Sequence, residues 1–333
     1  MSLRNKRVIF SASLIAAWVA ASCLVWAPGI RAQGPRVHDP STIIRYKGEY
    51  WIFNTGNGIP SWHSRDLVTW EEGPHVFSAP PDWVRTAVPG QRGAFWAPEI
   101  TRVNGQYYLY YAVSRFGART SAIGLATNPT LDPSDPDYNW SDKGIVVQST
   151  EADNYNAIDP SIWVDADDRM WMAFGSFWSG IKLVELDPAT GLRKGGAPLH
   201  ALAHAGQIEA SYLFSHGGSY FLFVNWGFCC RGVRSTYNIR VGRSDQITGP
   251  YLDKNGVDML AGGGTLFLGT EGRYIGPGQT GILQDESNEW VSYHFYDGNN
   301  NGLPSLGLRK LEWDKDGWPV AGQYASEILQ VPR

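Results

Sequence analysis

Five segments of the chain repeat one pattern of apolar and polar positions. Four begin with a small or acidic residue and the fifth with glutamine; each continues as an apolar strand, turns at glycine or polar residues, and ends in a second strand rich in aromatic residues. The segments span residues 39–55, 97–113, 159–176, 209–226 and 279–297. The pattern predicts five β-hairpins, because aromatic and β-branched residues favour strands and glycine favours tight turns.

The spacing within these hairpins is nearly constant. The first residue of a segment precedes an aromatic residue of its second strand by eleven positions in four segments and by twelve in the third. Successive segments start 50 to 70 residues apart, which leaves room for two more strands in each unit. A single hairpin cannot bury its apolar face, whereas five units arranged around an axis can. We therefore predict an all-β fold, a five-bladed β-propeller; a β-sandwich with unrelated hairpins would not require a constant spacing.

Acidic residues occupy three of the five segment starts, at Asp39, Asp159 and Glu209. Equivalent positions at the start of the inner strands face one end of the central channel, so we expect these carboxylates to converge. One acid at a strand start is commonly a turn former. Three in one pocket repel each other at a cost in free energy that a purely structural protein has no reason to bear. The pattern therefore indicates a catalytic site.

Two carboxyl groups suffice to cleave a glycosidic bond. One protonates the leaving oxygen, and the other activates water or attacks the sugar directly. Glu209 has the longer side chain and suits the acid, while Asp39 or Asp159 would be the base. The third carboxylate would hold and orient the acid.

Aromatic residues are abundant, with 15 Trp, 16 Tyr and 13 Phe. Sugar rings pack their C–H faces on such side chains, so we expect a carbohydrate groove beside the acids, although many tryptophans must belong to the core. The candidates for this groove are Trp62, Trp96, Phe116, Trp178 and Trp226. The net charge of −4 makes nucleic acids and acidic polysaccharides poor partners.

The first 32 residues are typical of an export signal. Arg4, Lys6 and Arg7 precede an apolar stretch, and a plausible cleavage point follows near Ala32. We predict a secreted protein, extracellular or periplasmic, whose residues 33–333 form a single monomeric domain with no membrane segment. An uncleaved anchor and a lipid on Cys23 are the alternatives.

Removal of this signal takes away four basic residues and no acidic one, which leaves a net charge of −8. It also leaves only two cysteines, the adjacent Cys229 and Cys230. They would either form a disulfide with each other or remain as two buried thiols.

Metal ligation has no strong signature, since the seven histidines follow no zinc-binding spacing. His294 lies on the second strand of the fifth hairpin. Its side chain would either point into the channel toward an ion or water, or belong to the core. Serine hydrolase and nucleotide-binding motifs are also missing from the sequence.

Several longer strings together resemble the endo-α-1,5-L-arabinanases of glycoside hydrolase family 43, across essentially all of the mature region. They include VHDPS, GAFWAPEI, YNAIDPS, FGSFWSGI, IEASYLF and CCRGVRSTYNIRVGRSDQITGPY. The resemblance implies a five-bladed propeller and hydrolysis of internal arabinan bonds with inversion. Two positions depart from the family's usual residues, Ser211 in place of proline and Gln279 in place of histidine.

Carried over by position, the resemblance makes Asp39 the general base, Glu209 the general acid, and Asp159 the residue that orients the acid and tunes its pKa. It further implies that Trp96, Phe116, Asn156 and Ser176 contact arabinosyl units. His294 would help to hold a calcium or similar ion through water. The alternatives are an exo-acting arabinanase, a β-xylosidase or α-L-arabinofuranosidase on this scaffold, and a carbohydrate-binding propeller without catalysis.

Overall fold

The computed structural model describes residues 35–286 and 288–329, and these form five antiparallel sheets around a central channel. The predicted signal, residues 1–32, lies outside the described residues. Each sheet is one propeller blade, so the prediction of a five-bladed β-propeller is confirmed. Within the described ranges, no helix has the length and apolar character needed to cross a lipid bilayer.

Each blade has four antiparallel strands that pair in the order in which they occur in the sequence. The first blade contains β1 (Ile44–Tyr46), β2 (Glu49–Phe53), β4 (Ser61–Ser64) and β5 (Glu71–Gly73), while the intervening β3 (Gly56–Asn57) pairs with the second blade. The second contains β6 (Ala94–Val103), β7 (Gln106–Val113), β8 (Ser121–Asn128) and β9 (Ser141–Ser149). The third contains β10 (Ser161–Val164), β11 (Met170–Phe174), β12 (Ile181–Leu186) and β13 (His200–Ala203).

The last two blades complete the ring. The fourth contains β14 (Ile208–His216), β15 (Ser219–Trp226), β16 (Asn238–Ser244) and β17 (Thr265–Leu268). The fifth contains β18 (Tyr274–Asp285), β19 (Asn288–Asp297), β20 (Leu303–Trp313) and β21 (Pro319–Tyr324). Helices are short: α1 (Trp83–Ala87), α2 (Ala325–Ile328), and 3₁₀ turns at Gly232–Arg234, Met259–Ala261 and Gly298–Asn300.

Five apolar clusters fill the spaces between neighbouring blades. The second strand of each blade contributes to two clusters, because alternate residues point to opposite faces of a sheet. On β2, Phe53 packs toward the second blade and Ile52 toward the fifth. Burial of both faces explains why these strands are continuous apolar and aromatic runs in the sequence.

Candidate active site

Every blade has one residue in the left-handed backbone region, either within its inner strand or a few residues before it. The φ angles there lie between 41° and 58°. Such values are uncommon outside glycine, and strained residues tend to cluster at functional sites. The five residues are Asp39, Ala97, Asp159, Ala210 and Gln279.

Glu209 does not belong to this set, so the prediction that it occupies the same position as Asp39 and Asp159 is wrong by one residue. Ala210 takes the repeat position of the fourth blade. Glu209 instead lies before a β-bulge, at the same place in its strand as Trp96 in the second blade. A bulge adds a residue to one strand and re-aims the side chains beside it, and counting along the sequence does not reveal it.

Side chains from neighbouring blades accept hydrogen bonds from the backbone N–H groups at four of these five positions. Each bond thereby satisfies a buried donor and ties two blades together at this end of the channel. The pairs are Asp39 N to His294 Nδ1 (3.1 Å), Ala97 N to Thr55 Oγ1 (2.9 Å), Ala210 N to Asp159 Oδ2 (2.9 Å) and Gln279 N to Asn225 Oδ1 (3.1 Å). Asp159 therefore holds the peptide that directly follows Glu209.

Glu209 and Asp159 both have raised pKa values. Burial is the main cause for each, and the charges of Glu209 and Asp39 raise the pKa of Asp159 further. The pKa of Glu209 stays raised although the hydroxyls of Tyr237 and Ser176 donate to its carboxylate, the latter at 2.8 Å. The mutual influence of the three acids places them around one site, as the sequence predicts.

Asp39 is shifted in the opposite direction. Burial by itself would raise its pKa, but the charge and hydrogen bond of His38 outweigh that effect and lower it to about 2. His38 Nδ1 lies 2.8 Å from Asp39 Oδ2, and the Thr55 hydroxyl donates to the same oxygen at 2.8 Å. The site thus combines one carboxyl group whose pKa is lowered with two whose pKa values are raised, which is the pairing that acid–base catalysis uses.

His294 is fully buried beneath His38, with ring centroids 4.2 Å apart. Burial and the neighbouring charge of His38 lower its pKa to about 3, so the ring is neutral. Its Nδ1 accepts the N–H of Asp39, which assigns the proton to Nε2. That buried Nε2 has no hydrogen-bond partner among the described residues.

The predicted substrate-binding residues fall into two groups. Trp96 and Phe116 form an aromatic pair with centroids 6.2 Å apart, and the Phe116 side chain is 80% exposed. Ser176 and Asn156 are buried: Ser176 donates to Glu209, and the Asn156 Oδ1 accepts the Ser121 hydroxyl at 2.7 Å.

The other three aromatic candidates separate in the same way. Trp178 is 40% exposed and available to a ligand. Trp62 and Trp226 are instead half-buried and pack against apolar clusters between blades.

Sequence reasoning missed three residues of the polar network: His38, Tyr237 and Tyr296. Tyr237 donates to Glu209, and Tyr296 lies 2.7 Å from His38 through its hydroxyl. His38 stands beside Asp39 within VHDPS, so that motif offered a signal. Tyr296 belongs to the aromatic-rich strand β19, and Tyr237 directly precedes β16, so nothing in the pattern distinguishes either tyrosine.

Cys229 and Cys230 form a disulfide between neighbours. Cys230 is exposed and Cys229 is half-buried, so the alternative of two buried thiols is wrong. They lie in the connection that follows β15. It reaches the site, where the Cys230 N–H donates to the Tyr296 hydroxyl at 2.7 Å.

The sequence family model described as "Glycosyl hydrolases family 43" matches residues 34–319. The chain belongs to glycoside hydrolase family 43. It is therefore an enzyme, a glycoside hydrolase, and the family resemblance of its motifs is confirmed.

Individual members of the family can be aligned with nearly the whole of this chain. The extracellular exo-α-(1→5)-L-arabinofuranosidase ArbA of Cellvibrio japonicus is 40% identical, over 94% of this chain and 96% of its own. The extracellular endo-α-(1→5)-L-arabinanase 1 of Bacillus subtilis is 41% identical, over 86% and 88%. The structure of the Cellvibrio cellulosa α-L-arabinanase complexed with arabinohexaose is 39% identical, with a TM-score of 0.84 over 90% of this chain and 98% of that one.

Proposed function

We propose that this family 43 enzyme is an arabinanase that hydrolyses internal α-1,5 bonds of arabinan with inversion. The observation that carries the proposal is the opposite shift of two carboxyl pKa values in one site, down to about 2 at Asp39 and upward at Glu209. The substrate is taken from the relatives, whose names specify α-(1→5)-linked arabinose, and from the arabinohexaose complex.

In the proposed mechanism, Asp39 is the base and Glu209 is the acid. The ionised Asp39 takes a proton from water as the water attacks the anomeric carbon, while protonated Glu209 gives its proton to the leaving oxygen. Asp159 keeps Glu209 in place through the Ala210 N–H. Single displacement by water inverts the anomeric centre, and it requires about 6.5–9.5 Å between the two carboxyl groups.

The names of the relatives do not distinguish internal from terminal cleavage, because one is exo-acting and the other endo-acting. Two exposed aromatic side chains favour binding of several sugars. Phe116 lies between β7 and β8, and Trp178 lies between β11 and β12, so contacts come from two blades. A chain bound along both would be cut away from its ends.

Product analysis on linear, debranched arabinan tests this function. We expect oligosaccharides of mixed length among the first products, and the α-to-β change of anomeric configuration in the proton NMR spectrum. Arabinose or one short product from the first minutes would instead assign exo action. Release of product from arylxylosides but not from arabinan would replace the proposed substrate.

Glu209→Gln tests the acid. The amide cannot protonate the leaving oxygen, so we expect turnover of arabinan to fall by about 10²–10⁴-fold, with binding of arabinohexaose retained in calorimetry. Glu327→Gln, a change at an exposed glutamate on α2, is the matched control. Unchanged turnover in the Glu209 variant would remove it from the acid role.

A calcium ion in the channel fits the residues around His294. The protonated Nε2 of this buried ring lacks a partner and suits a water bound to the ion, and the Gln279 side chain offers an amide oxygen, which calcium accepts. When bound, the ion would supply positive charge near the carboxylates. His294 would orient its water, and Gln279 would replace the usual family histidine with an oxygen ligand.

Metal analysis of the purified protein checks the calcium proposal. We expect one calcium per chain by atomic emission after gel filtration, and a lower thermal midpoint after treatment with a chelator. His294→Ala should lose the ion, whereas His204→Ala, at an exposed histidine, should keep it. A wild-type protein free of calcium in calcium-containing buffer would contradict the proposal.

Both named relatives are described as extracellular. We propose that this chain is likewise exported, with cleavage near Gln33, and that it acts as a monomer. Mass spectrometry of the protein recovered from culture medium, and light scattering of that sample, would test these two statements together.

A further inference from the structure

The disulfide between Cys229 and Cys230 lies against the residues that surround the proposed base. The Cys230 sulfur is 3.7 Å from His38 Nε2, and the Cys230 N–H donates to the Tyr296 hydroxyl at 2.7 Å. Neither the catalytic mechanism nor the packing of the blades uses this bridge, because it lies in the connection beyond β15 and outside the apolar clusters.

A continuous path of polar contacts joins the disulfide to Asp39. The Tyr296 hydroxyl that accepts the Cys230 N–H is also 2.7 Å from His38 Nε2. The opposite nitrogen of that ring, Nδ1, lies 2.8 Å from Asp39 Oδ2. A shift of the Cys230 peptide would therefore move Tyr296, and with it the imidazole that fixes the Asp39 carboxylate.

The backbone at Cys230 has an uncommon conformation, with φ at 65°. Residues other than glycine stay in this region when surrounding contacts hold them there. On either side, Phe228 N donates to Thr236 Oγ1 and Arg231 N to Ser235 Oγ, both at 3.0 Å. These bonds secure the flanks, while the disulfide constrains the peptide unit between its two cysteines.

We propose that the Cys229–Cys230 disulfide is a positioning element for Asp39, acting through Tyr296 and His38, so that the enzyme loses turnover when the bridge is reduced. This inference rests on the proposed role of Asp39 as the base. The bridge contacts no proposed acid, so it affects the geometry of water activation and not protonation of the leaving group.

Reduction with a water-soluble phosphine tests the inference. The phosphine gives two electrons to the disulfide, the bond between the sulfur atoms breaks, and the two thiols take protons from water as the phosphine becomes its oxide. We expect kcat on linear arabinan to fall by on the order of ten- to a hundredfold, since small misplacements of catalytic groups have effects of this size. KM should change by less than about twofold.

Two variants separate this path from a general structural effect. Cys229→Ser combined with Cys230→Ser should behave like the reduced protein and should not respond to phosphine. Tyr296→Phe cuts the path with the disulfide intact, so it should lower kcat by itself, and reduction should then add less than about twofold. Circular dichroism on every sample identifies variants that fail to fold. If the double serine variant does not fold, Tyr296→Phe still tests the path.

Two results would overturn the inference. One is full kcat in wild-type protein shown by thiol titration to carry two new thiols; the other is an equal loss on reduction in wild type and in Tyr296→Phe. If the oxidised wild type does not hydrolyse arabinan at all, the proposed function fails and not the role of the disulfide.

Discussion

Glu99 shows how a single buried acid makes the stability of this fold depend on pH. It lies on β6, and both of its oxygens accept hydrogen bonds from Thr42, from the N–H at 2.9 Å and from the hydroxyl at 2.7 Å. Burial nevertheless raises its pKa from the ordinary 4.5 to about 7. The folded protein therefore holds a proton that the unfolded chain releases at lower pH.

The sign of the resulting stability change follows from linkage. The stabilisation is fully present below pH 4.5 and declines as the pH rises toward 7. Above pH 7 it has been lost, and the free energy of unfolding no longer changes because of this group. With about 1.4 kcal/mol for each pH unit, the loss is on the order of 3 kcal/mol.

Glu99→Gln should remove this dependence, because an amide does not titrate and can still accept the Thr42 N–H. We expect the variant to be more stable than wild type at pH 8 and about equal at pH 4.5. Free energies of unfolding from urea titrations at both pH values provide the measurement, with Glu327→Gln as the exposed control. A variant that follows the wild-type pH profile would show that Glu99 does not titrate in this range.

At the scale of elements, the connection from β11 to β12 links the acid to the surface. Ser176 lies at the start of this connection and donates its hydroxyl to Glu209. Phe177 and Trp178 follow, with φ angles of 47° and 34°. The Phe177 N–H donates to the Ile208 carbonyl at 2.7 Å, which anchors this strained segment to the neighbouring blade. The same backbone that supports the acid thus turns Trp178 outward.

Trp178→Ala should weaken binding of long substrates without altering the chemistry. An aromatic contact contributes about 0.5–1.5 kcal/mol, so we expect KM for linear arabinan to rise by about two- to tenfold while kcat stays close to wild type. Leu266→Ala, at an exposed leucine on β17, is the control. Steady-state kinetics decide the point; a fall in kcat at constant KM would mean that Trp178 supports the acid and not the sugar.

At the scale of the whole molecule, the first and fifth blades share no strand among the described residues, since β1, β2, β4 and β5 pair only with each other and β18 to β21 do the same. Side chains make the closure. Asp285 accepts the Tyr50 hydroxyl at 2.5 Å and the Arg45 guanidinium at 3.0 Å. At the other end of the seam, His294 bonds to Asp39, so the closure includes the proposed base.

Asp285→Ala should destabilise the protein by about 1–3 kcal/mol, because it leaves the largely buried Tyr50 hydroxyl without its acceptor. Glu185→Ala removes an exposed ion pair with Lys194 inside the third blade and should cost less than about 1 kcal/mol. Denaturant unfolding of both variants measures the difference. Equal losses would mean that the seam has no special importance for the stability of the ring.

Much of this architecture follows from the local amino-acid sequence. The hairpin pattern requires only residues close in the chain, with paired strands and two-residue turns such as Asn104-Gly105, both in the left-handed conformation. Five copies of that pattern fix the number of blades, because each can bury its faces only against the next. Asp39 and Asp159 stand at the repeat position and Glu209 stands one residue before it, and their convergence follows from the ring.

Contacts between distant segments decided the rest. The bulge that displaces Glu209 from the repeat position depends on its register with β15, and no count within β14 contains that information. Tyr237 donates to Glu209, while Tyr296 and His294 of the fifth blade contact His38 and Asp39 of the first, and burial in these contacts contributes to each pKa shift. The sequence alone thus determined the blades and the three acids, whereas tertiary structure determined the direction in which the pKa of each acid is shifted, because pKa values depend on burial and on the groups that the fold brings together.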